Sequence, residues 1–230
     1  MKRFNRLLCI PIATVLLFSC ANKNGERGND SVKRDTSMHD ITRPTGNNYL
    51  EDLLNIKDEA DLKTRYPNEK ITYDTIWGAE GAFDMGTYMG KGTKNEVQFQ
   101  WKDSLRRSTV TSVSIDATTD KDGNYVYGNQ WVSNRGIKLG STTDEVEKIN
   151  GKSFSFSGFG WDYGGGAMGF TGGNLETAGI GLTFDEGNSW AALPEKERNQ
   201  IMGDQTVTSD NAVVKKIQPR VVMISVFKSE

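Results

Sequence analysis

The chain has 230 residues, of which 36% are hydrophobic, 10% aromatic and 25% charged, with 28 basic side chains against 30 acidic ones and a formal charge of −2. Such a chain can bury a real core, and its near-neutral charge gives no electrostatic reason to expect a nucleic-acid partner, so none is expected. Its two cysteines both lie within the first twenty residues, so everything after Cys20 lacks a thiol for a disulfide, a zinc site or a nucleophile, and its one histidine, His39, sits alone in a polar stretch and is not expected to act as a general base.

Residues 1–19 read as an address. Lys2, Arg3 and Arg6 precede an apolar run from Leu7 to Phe18, too short to span a bilayer, and the order of charged, apolar and small residues is that of a secretory signal. The ending Leu17-Phe18-Ser19-Cys20 resembles a bacterial lipobox, which implies cleavage before Cys20 and acylation of its thiol, including palmitate. The expected location is the bacterial cell envelope, lipid-anchored, at the outer membrane. Loss of residues 1–19 removes three basic side chains and leaves the remainder acidic, so the acyl chains and not surface charge must hold it to the membrane. Residues 20–48 are Asn, Lys, Gly, Asp, Ser and Thr with few apolar positions, a composition that cannot offset ordering entropy by burial. They read as a flexible tether with a reach on the order of 30 Å.

The remainder reads as one unit used twice. A shift of 84 residues lays Trp77 on Trp161, Gly81 on Gly165 and Leu62 on Val146. The first unit, 49–118, opens with an apolar turn at Leu50, Leu53 and Leu54 and a short helix from Asp58 to Tyr66, stopped by Pro67. Four strands follow: 71–77, 83–89, 97–101 and 110–115. Val97, Phe99 and Trp101 alternate with Gln98 and Gln100, which predicts one buried face and one wet face.

Residues 119–135 form a connector, and the second unit, 136–230, begins with a helix. Ser141 with Asp144 reads as a capping box and Gly151 as a left-handed C-cap. Strands are predicted at 154–156, 168–171, 180–184 and 221–227. Ile224 and Val226 match Val113 and Ile115 at a shift of 111, so the second unit carries an insertion, 187–216, with a short helix from Pro194 to Met202. The expected fold is α+β: two tandem repeats, each a helix plus a four-stranded antiparallel sheet, forming one extended sheet with helices on one face.

The helix entry Leu139-Gly140-Ser141-Thr142-Thr143-Asp144-Glu145-Val146, ending at Asn150-Gly151, resembles the repeat of the β-lactamase inhibitor protein family, and small envelope lipoproteins of the β-barrel assembly machinery enter a helix similarly. The run Gly158-Phe159-Gly160-Trp161-Asp162-Tyr163-Gly164 is similar to lipoproteins of unknown function from Bacteroidetes-type bacteria. The resemblance implies a tandem inhibitor-like fold whose sheet face binds other proteins. That family typically has disulfides within its repeats and this chain has no cysteine after Cys20, so β-lactamase inhibition is not carried over.

Several patterns invite chemistry. Gly164 to Gly169 satisfies G-x-G-x-x-G, yet no strand and helix flank it as a dinucleotide site requires, so it reads as a turn and no cofactor is expected. Asp120, Asp122 and Asn124 share features with calcium loops but lack the downstream glutamate; Asp122-Gly123 reads as a turn, with calcium binding an open alternative at these residues. Glu80, Asp84, Asp162, Asp185 and Glu186 fall near turns, and only their spatial separation could make a glycosidase pair. No catalytic residue and no metal ligand is assigned. The candidate binding surface is Phe159, Trp161, Asp162 and Tyr163, aromatic rings set among glycines. Because Trp77 and Trp161 align, equivalent core positions are the alternative for this pair, and core or surface stays open for both. The chain thus reads as a non-enzymatic binding module for an envelope protein, with glycan binding, and then a carboxylate-dependent hydrolase, as alternatives.

Overall fold

In the computed structural model, which describes residues 47–228, the chain enters through β1 (Asn48–Tyr49) and α1 (Leu50–Leu53). The expected signal segment, Cys20 and nearly all of the tether lie outside the described residues. No helix among the described residues is long and apolar enough to cross a membrane.

Helix α2 (Glu59–Arg65) starts where Asp58, in extended backbone, accepts the Asp61 N–H at 2.8 Å, and it ends before Pro67. Four strands then run as an antiparallel meander: β2 (Ile71–Trp77), β3 (Phe83–Met89), β4 (Val97–Asp103) and β5 (Ser108–Asp116). A hairpin of β6 (Thr118–Thr119) and β7 (Tyr125–Val126) follows, then β8 (Trp131–Val132), which pairs in parallel with β1.

Helix α3 (Thr143–Asn150) has its capping box one residue later than predicted. Thr142 accepts the Glu145 N–H at 3.2 Å, and the Glu145 carboxylate accepts the Thr142 N–H at 2.8 Å. Ser141 cannot serve, because its carbonyl accepts the Val221 N–H and its backbone is still held in extended pairing. Gly151 does close the helix in the left-handed conformation, with φ of 75°. The rest comprises β9 (Ser155–Ser157), β10 (Ala167–Gly169), β11 (Ile180–Asp185), α4 (Glu195–Arg198), β12 (Thr206–Thr208), α5 (Ala212–Ile217) and β13 (Arg220–Phe227).

The result is an α+β fold with a six-stranded antiparallel sheet in the order β11-β13-β5-β4-β3-β2. Within it β13 lies against β5, pairing Val226 with Val113, Ser225 with Ser114 and Ile224 with Ile115. The expected single extended sheet is interrupted, however: β9 and β10 form a separate three-stranded sheet, β10-β9-β12, whose third strand comes from the insertion. What joins the two sheets is one bridge, Gly166 to Thr183, beside the Phe184 N–H donating to the Gly165 carbonyl at 2.9 Å. Bulges on both sides, at Thr183/Phe184 and Ala167/Gly169, bend the chain away from regular pairing.

One face of the large sheet is buried. Val97, Phe99 and Trp101 of β4, Val113 and Ile115 of β5, Leu182 and Phe184 of β11, and Ile224 and Val226 of β13 join Leu50, Leu53, Leu62 and Val146 from the helices in a single core. One polar chain inside it is paired end to end: the Trp101 Nε1–H donates to Thr87 Oγ1, whose hydroxyl donates to the Glu59 carboxylate.

Candidate functional site

Alternation that buries Val113 and Ile115 turns Ser112, Ser114 and Asp116 to the other face, beside Gln98 and Gln100 of β4 and Ser225 of β13. These groups floor a groove of about 370 Å³. Its walls include Ile76 and Trp77 from the far edge strand, with Tyr88, Met223 and Phe227. The sheet curls enough for β2 to reach over its own neighbours because Gly86 leaves space. A Cβ at 86 would stand 2.3 Å from the Ile76 side chain and 2.6 Å from the Phe99 carbonyl.

The floor is a hydrogen-bonded layer. Ser112 Oγ donates to Gln100 Oε1 at 3.0 Å, and Gln98 Nε2 donates to Asp116 Oδ2 at 2.7 Å. Burial pushes the Asp116 carboxyl up to about 6; the Gln98 hydrogen bond opposes this and the charge of Glu96 adds to it. Asp116 was not singled out by its own chemistry in the sequence, yet the alternation around Val113 and Ile115 was signal enough to place it on the wet face.

The Gly-aromatic loop divides the four residues expected to bind. Trp161 and Tyr163 are 38% and 48% exposed, with rings edge to face at 5.2 Å, and the Trp161 Nε1–H donates to the Gly158 carbonyl at 2.8 Å. Phe159 is a correction: at 1% exposure it is core, packed 5.5 Å from the Phe156 ring. Its backbone is clamped on both sides by the insertion, the Phe159 N–H donating to the Ile201 carbonyl and the Gly203 N–H to the Phe159 carbonyl. Asp162 accepts the Glu80 N–H at 3.0 Å, which ties this loop to the turn between β2 and β3.

That turn is itself flanked by exposed rings. Trp77 is 69% exposed and stands 5.5 Å from Phe83. The core alternative for the Trp77–Trp161 pair is therefore overturned: both are exposed at the surface. The tryptophans that enter the core are Trp101 and Trp131 instead, buried in the same cluster as Leu50 and Leu53.

The remaining chemical candidates are set in turns. Of the run Gly164 to Gly169, Gly164 and Gly165 lie in the turn that leads into β10, while Ala167–Gly169 are β10 itself, so the turn expected for the whole run holds only for its first half. Asp120 Oδ1 accepts the backbone N–H groups of Asp122 and Asn124 at 2.9 Å each, and Gly123 takes φ of 82°, so these residues build the β6–β7 turn. Those bonds, with the Asn124 backbone foremost, hold the Asp120 carboxyl below the usual range. Among the described residues there is no group of three or more His, Cys, Asp or Glu placed to hold a metal. Asp84 caps its own strand through the Met85 N–H, while Asp185 and Glu186 line a different pocket beside Tyr125 and Trp190.

No protein-family model, curated protein or solved structure matches this chain.

Proposed function

We propose that the protein is a lipid-anchored lipoprotein of the bacterial cell envelope, held at the outer membrane through Cys20, that binds another envelope protein without catalysing a reaction. The observation that carries this reading is the open sheet face: a polar hydrogen-bonding floor that the helices leave uncovered, walled in part by Trp77, whose turn is tied to the Trp161–Tyr163 loop through Glu80 and Asp162. Neutral amides and hydroxyls offer both donors and acceptors to a backbone, while Trp77, Phe83, Trp161 and Tyr163 supply the large amphipathic rings that dominate protein interfaces.

The tandem-repeat architecture belongs to the same proposal. The shift of 111 that lays Val113 on Ile224 and Ile115 on Val226 also lays Ser114 on Ser225, and Ser114 pairs with Ser225 across the β5–β13 seam. Each strand thus presents the same stretch to the other, as the two sides of an isologous contact do. In this reading β9 and β10 are the counterparts of β2 and β3, displaced onto the insertion strand β12.

The test crosslinks the lipidated protein in its envelope and compares wild type with two folded variants: Trp161→Ala/Tyr163→Ala on the rim and Gln100→Arg on the floor. A protein recovered with wild type and lost with both variants supports the reading. Equal recovery with all three removes the sheet face from the interaction.

A further inference from the structure

Where β5 ends at Asp116 the chain passes through Ala117 into the β6–β7 hairpin, and between that hairpin and the turn after β11 lies a second pocket of about 390 Å³. It shares no lining residue with the groove on the open sheet face. Its aromatic side is preformed. The rings of Tyr125 and Tyr127 lie 6.4 Å apart at an interplanar angle of 27°, an offset platform and not an enclosing cage. Tyr127 is seated on Gly140, where φ is 84° and a Cβ would come within 2.8 Å of the ring. Trp190 completes the apolar lining, with the Arg198 guanidinium 5.8 Å from its ring.

The polar side converges on the same space. Asn188 Nδ2 donates to Asn124 Oδ1 at 3.1 Å, closing the rim between hairpin and turn. Asp185 is oriented by the Gly187 N–H at 2.7 Å, and Arg220 by its own donation to the Gly140 carbonyl at 2.9 Å. Glu186 is partly buried beside it, and burial first, then the charge of Asp185, pushes its carboxyl up. Aromatic platform, carboxylate and amide acceptors, and guanidinium and amide donors on one concave surface fit a ligand with an apolar face and a ring of hydroxyls that both donate and accept. Two carboxylates against one arginine disfavour an anionic ligand.

We propose that this pocket binds an uncharged saccharide, one sugar ring lying on the Tyr125–Tyr127 platform with its hydroxyls met by Asp185, Asn188 and Arg220. The site stands apart from the protein-binding reading of the sheet face, and either can fail alone.

The mature protein in detergent is applied to an array of neutral glucose, galactose, mannose and N-acetylglucosamine oligosaccharides beside uronate-containing ones. Retained glycans are then titrated against Trp fluorescence. At least one neutral class should bind, with Tyr125→Ala and Asp185→Asn each weakening it by about tenfold or more. Tyr125→Phe, which keeps the platform, and Trp161→Ala, which lies on the other surface, should leave affinity within about twofold. Retention of no neutral glycan overturns the proposal. So does preference for uronates, binding of tetramethylammonium but no sugar, or loss of binding in Trp161→Ala with the pocket variants unaffected.

Discussion

The backbone N–H of Glu80 donates to the carboxylate of Asp162 at 3.0 Å, joining two turns that are 82 positions apart in the chain. Glu80 holds φ of 55°, in the region that favours glycine, so its amide is aimed by a turn that costs free energy to hold. Asp162→Ala should therefore free the turn more than it unfolds the protein. The expected loss of stability is about 0.5–1 kcal/mol, since the bond is exposed to water. The Glu80 amide should exchange with solvent distinctly faster in the variant, as amide exchange followed by NMR would report, while amides of β4 and β5 keep their protection.

Asp116 sets a pH dependence of unusual sign for a carboxylate. Its native pKa of about 6 lies above the ordinary 3.8, so between about pH 4 and pH 6 the folded protein keeps a proton that the unfolded chain has released. Stability contributed by this group falls as pH rises through that window, and the full penalty is present above pH 6. Asp116→Asn removes the charge and keeps an oxygen for the Gln98 amide. The variant should be more stable than wild type at pH 7 by on the order of 2 kcal/mol and should converge with it near pH 4. Urea melts at four pH values across this range decide the matter. A variant less stable than wild type at pH 7 would contradict the burial argument.

Cys20 carries the anchor in the proposed function. Cys20→Ser should abolish incorporation of labelled palmitate and move the protein from the membrane pellet to the soluble fraction, because the acidic mature chain has no basic patch in its tether region sufficient to replace acyl chains. Persistence in the pellet with no label would show that something other than acylation at Cys20 holds it.

The local rules of strand and helix were legible in the sequence because they are short-ranged. Val97-Gln98-Phe99-Gln100-Trp101 alternates, and β4 buries the residues it should; Pro67 stops α2, and Gly151 stops α3. What escaped was set by partners distant in sequence. Ser141 reads as a helix cap until β13 occupies its carbonyl, and Phe159 reads as a surface ring until the turn at Ile201 and Gly203 folds over it. Strand β12 lies within the stretch read as an insertion and helix α5 runs just past its end, both with too little periodicity to announce them, and β12 pairs with β9 in a sheet separate from the large one. Trp77 misled for a different reason: its alignment with Trp161 carries no information about which side of the sheet a ring will take, and both rings are exposed.

Asn150 shows how much one buried amide can organise. Its Nδ2 donates to the carbonyls of Lys152 and Phe170 at 2.9 Å each, and its Oδ1 accepts the Leu175 N–H at 3.1 Å. Gly173 is the residue that permits this, since a Cβ there would lie 2.2 Å from Asn150 Oδ1. Asn150→Ala would orphan the buried Leu175 N–H, take a donor from the Lys152 and Phe170 carbonyls, of which Phe170 keeps the Gly173 N–H, and open a cavity, and should cost about 3 kcal/mol in chemical denaturation. Asn150→Asp keeps the acceptor for Leu175 but loses both donations, so it should recover only part of that loss at neutral pH.

The crossing at Gly165 sets the severest constraint. Its φ is 74°, and a Cβ would stand 1.9 Å from the Phe184 carbonyl oxygen, which is backbone and cannot swing aside as a side chain would. The same carbonyl of Gly165 accepts the Phe184 N–H, so the small sheet is fastened to β11 at the point where no side chain fits. Gly165→Ala should separate β10 from β11 and lose more than about 3 kcal/mol, in strain and in the lost bond together. Because Phe159, Phe156 and Phe184 pack against one another beneath this crossing, the loss should spread to the core. Near-ultraviolet circular dichroism should report weakened aromatic packing before far-ultraviolet signal falls. Gly81→Ala offers the matched control: it too has positive φ, at 72°, but nothing lies within 4 Å of its Cβ, so its cost should be about 1 kcal/mol of backbone strain with the aromatic signal intact. Equal melting of the two variants would mean that left-handed backbone alone, and not the close approach of Phe184, makes Gly165 necessary.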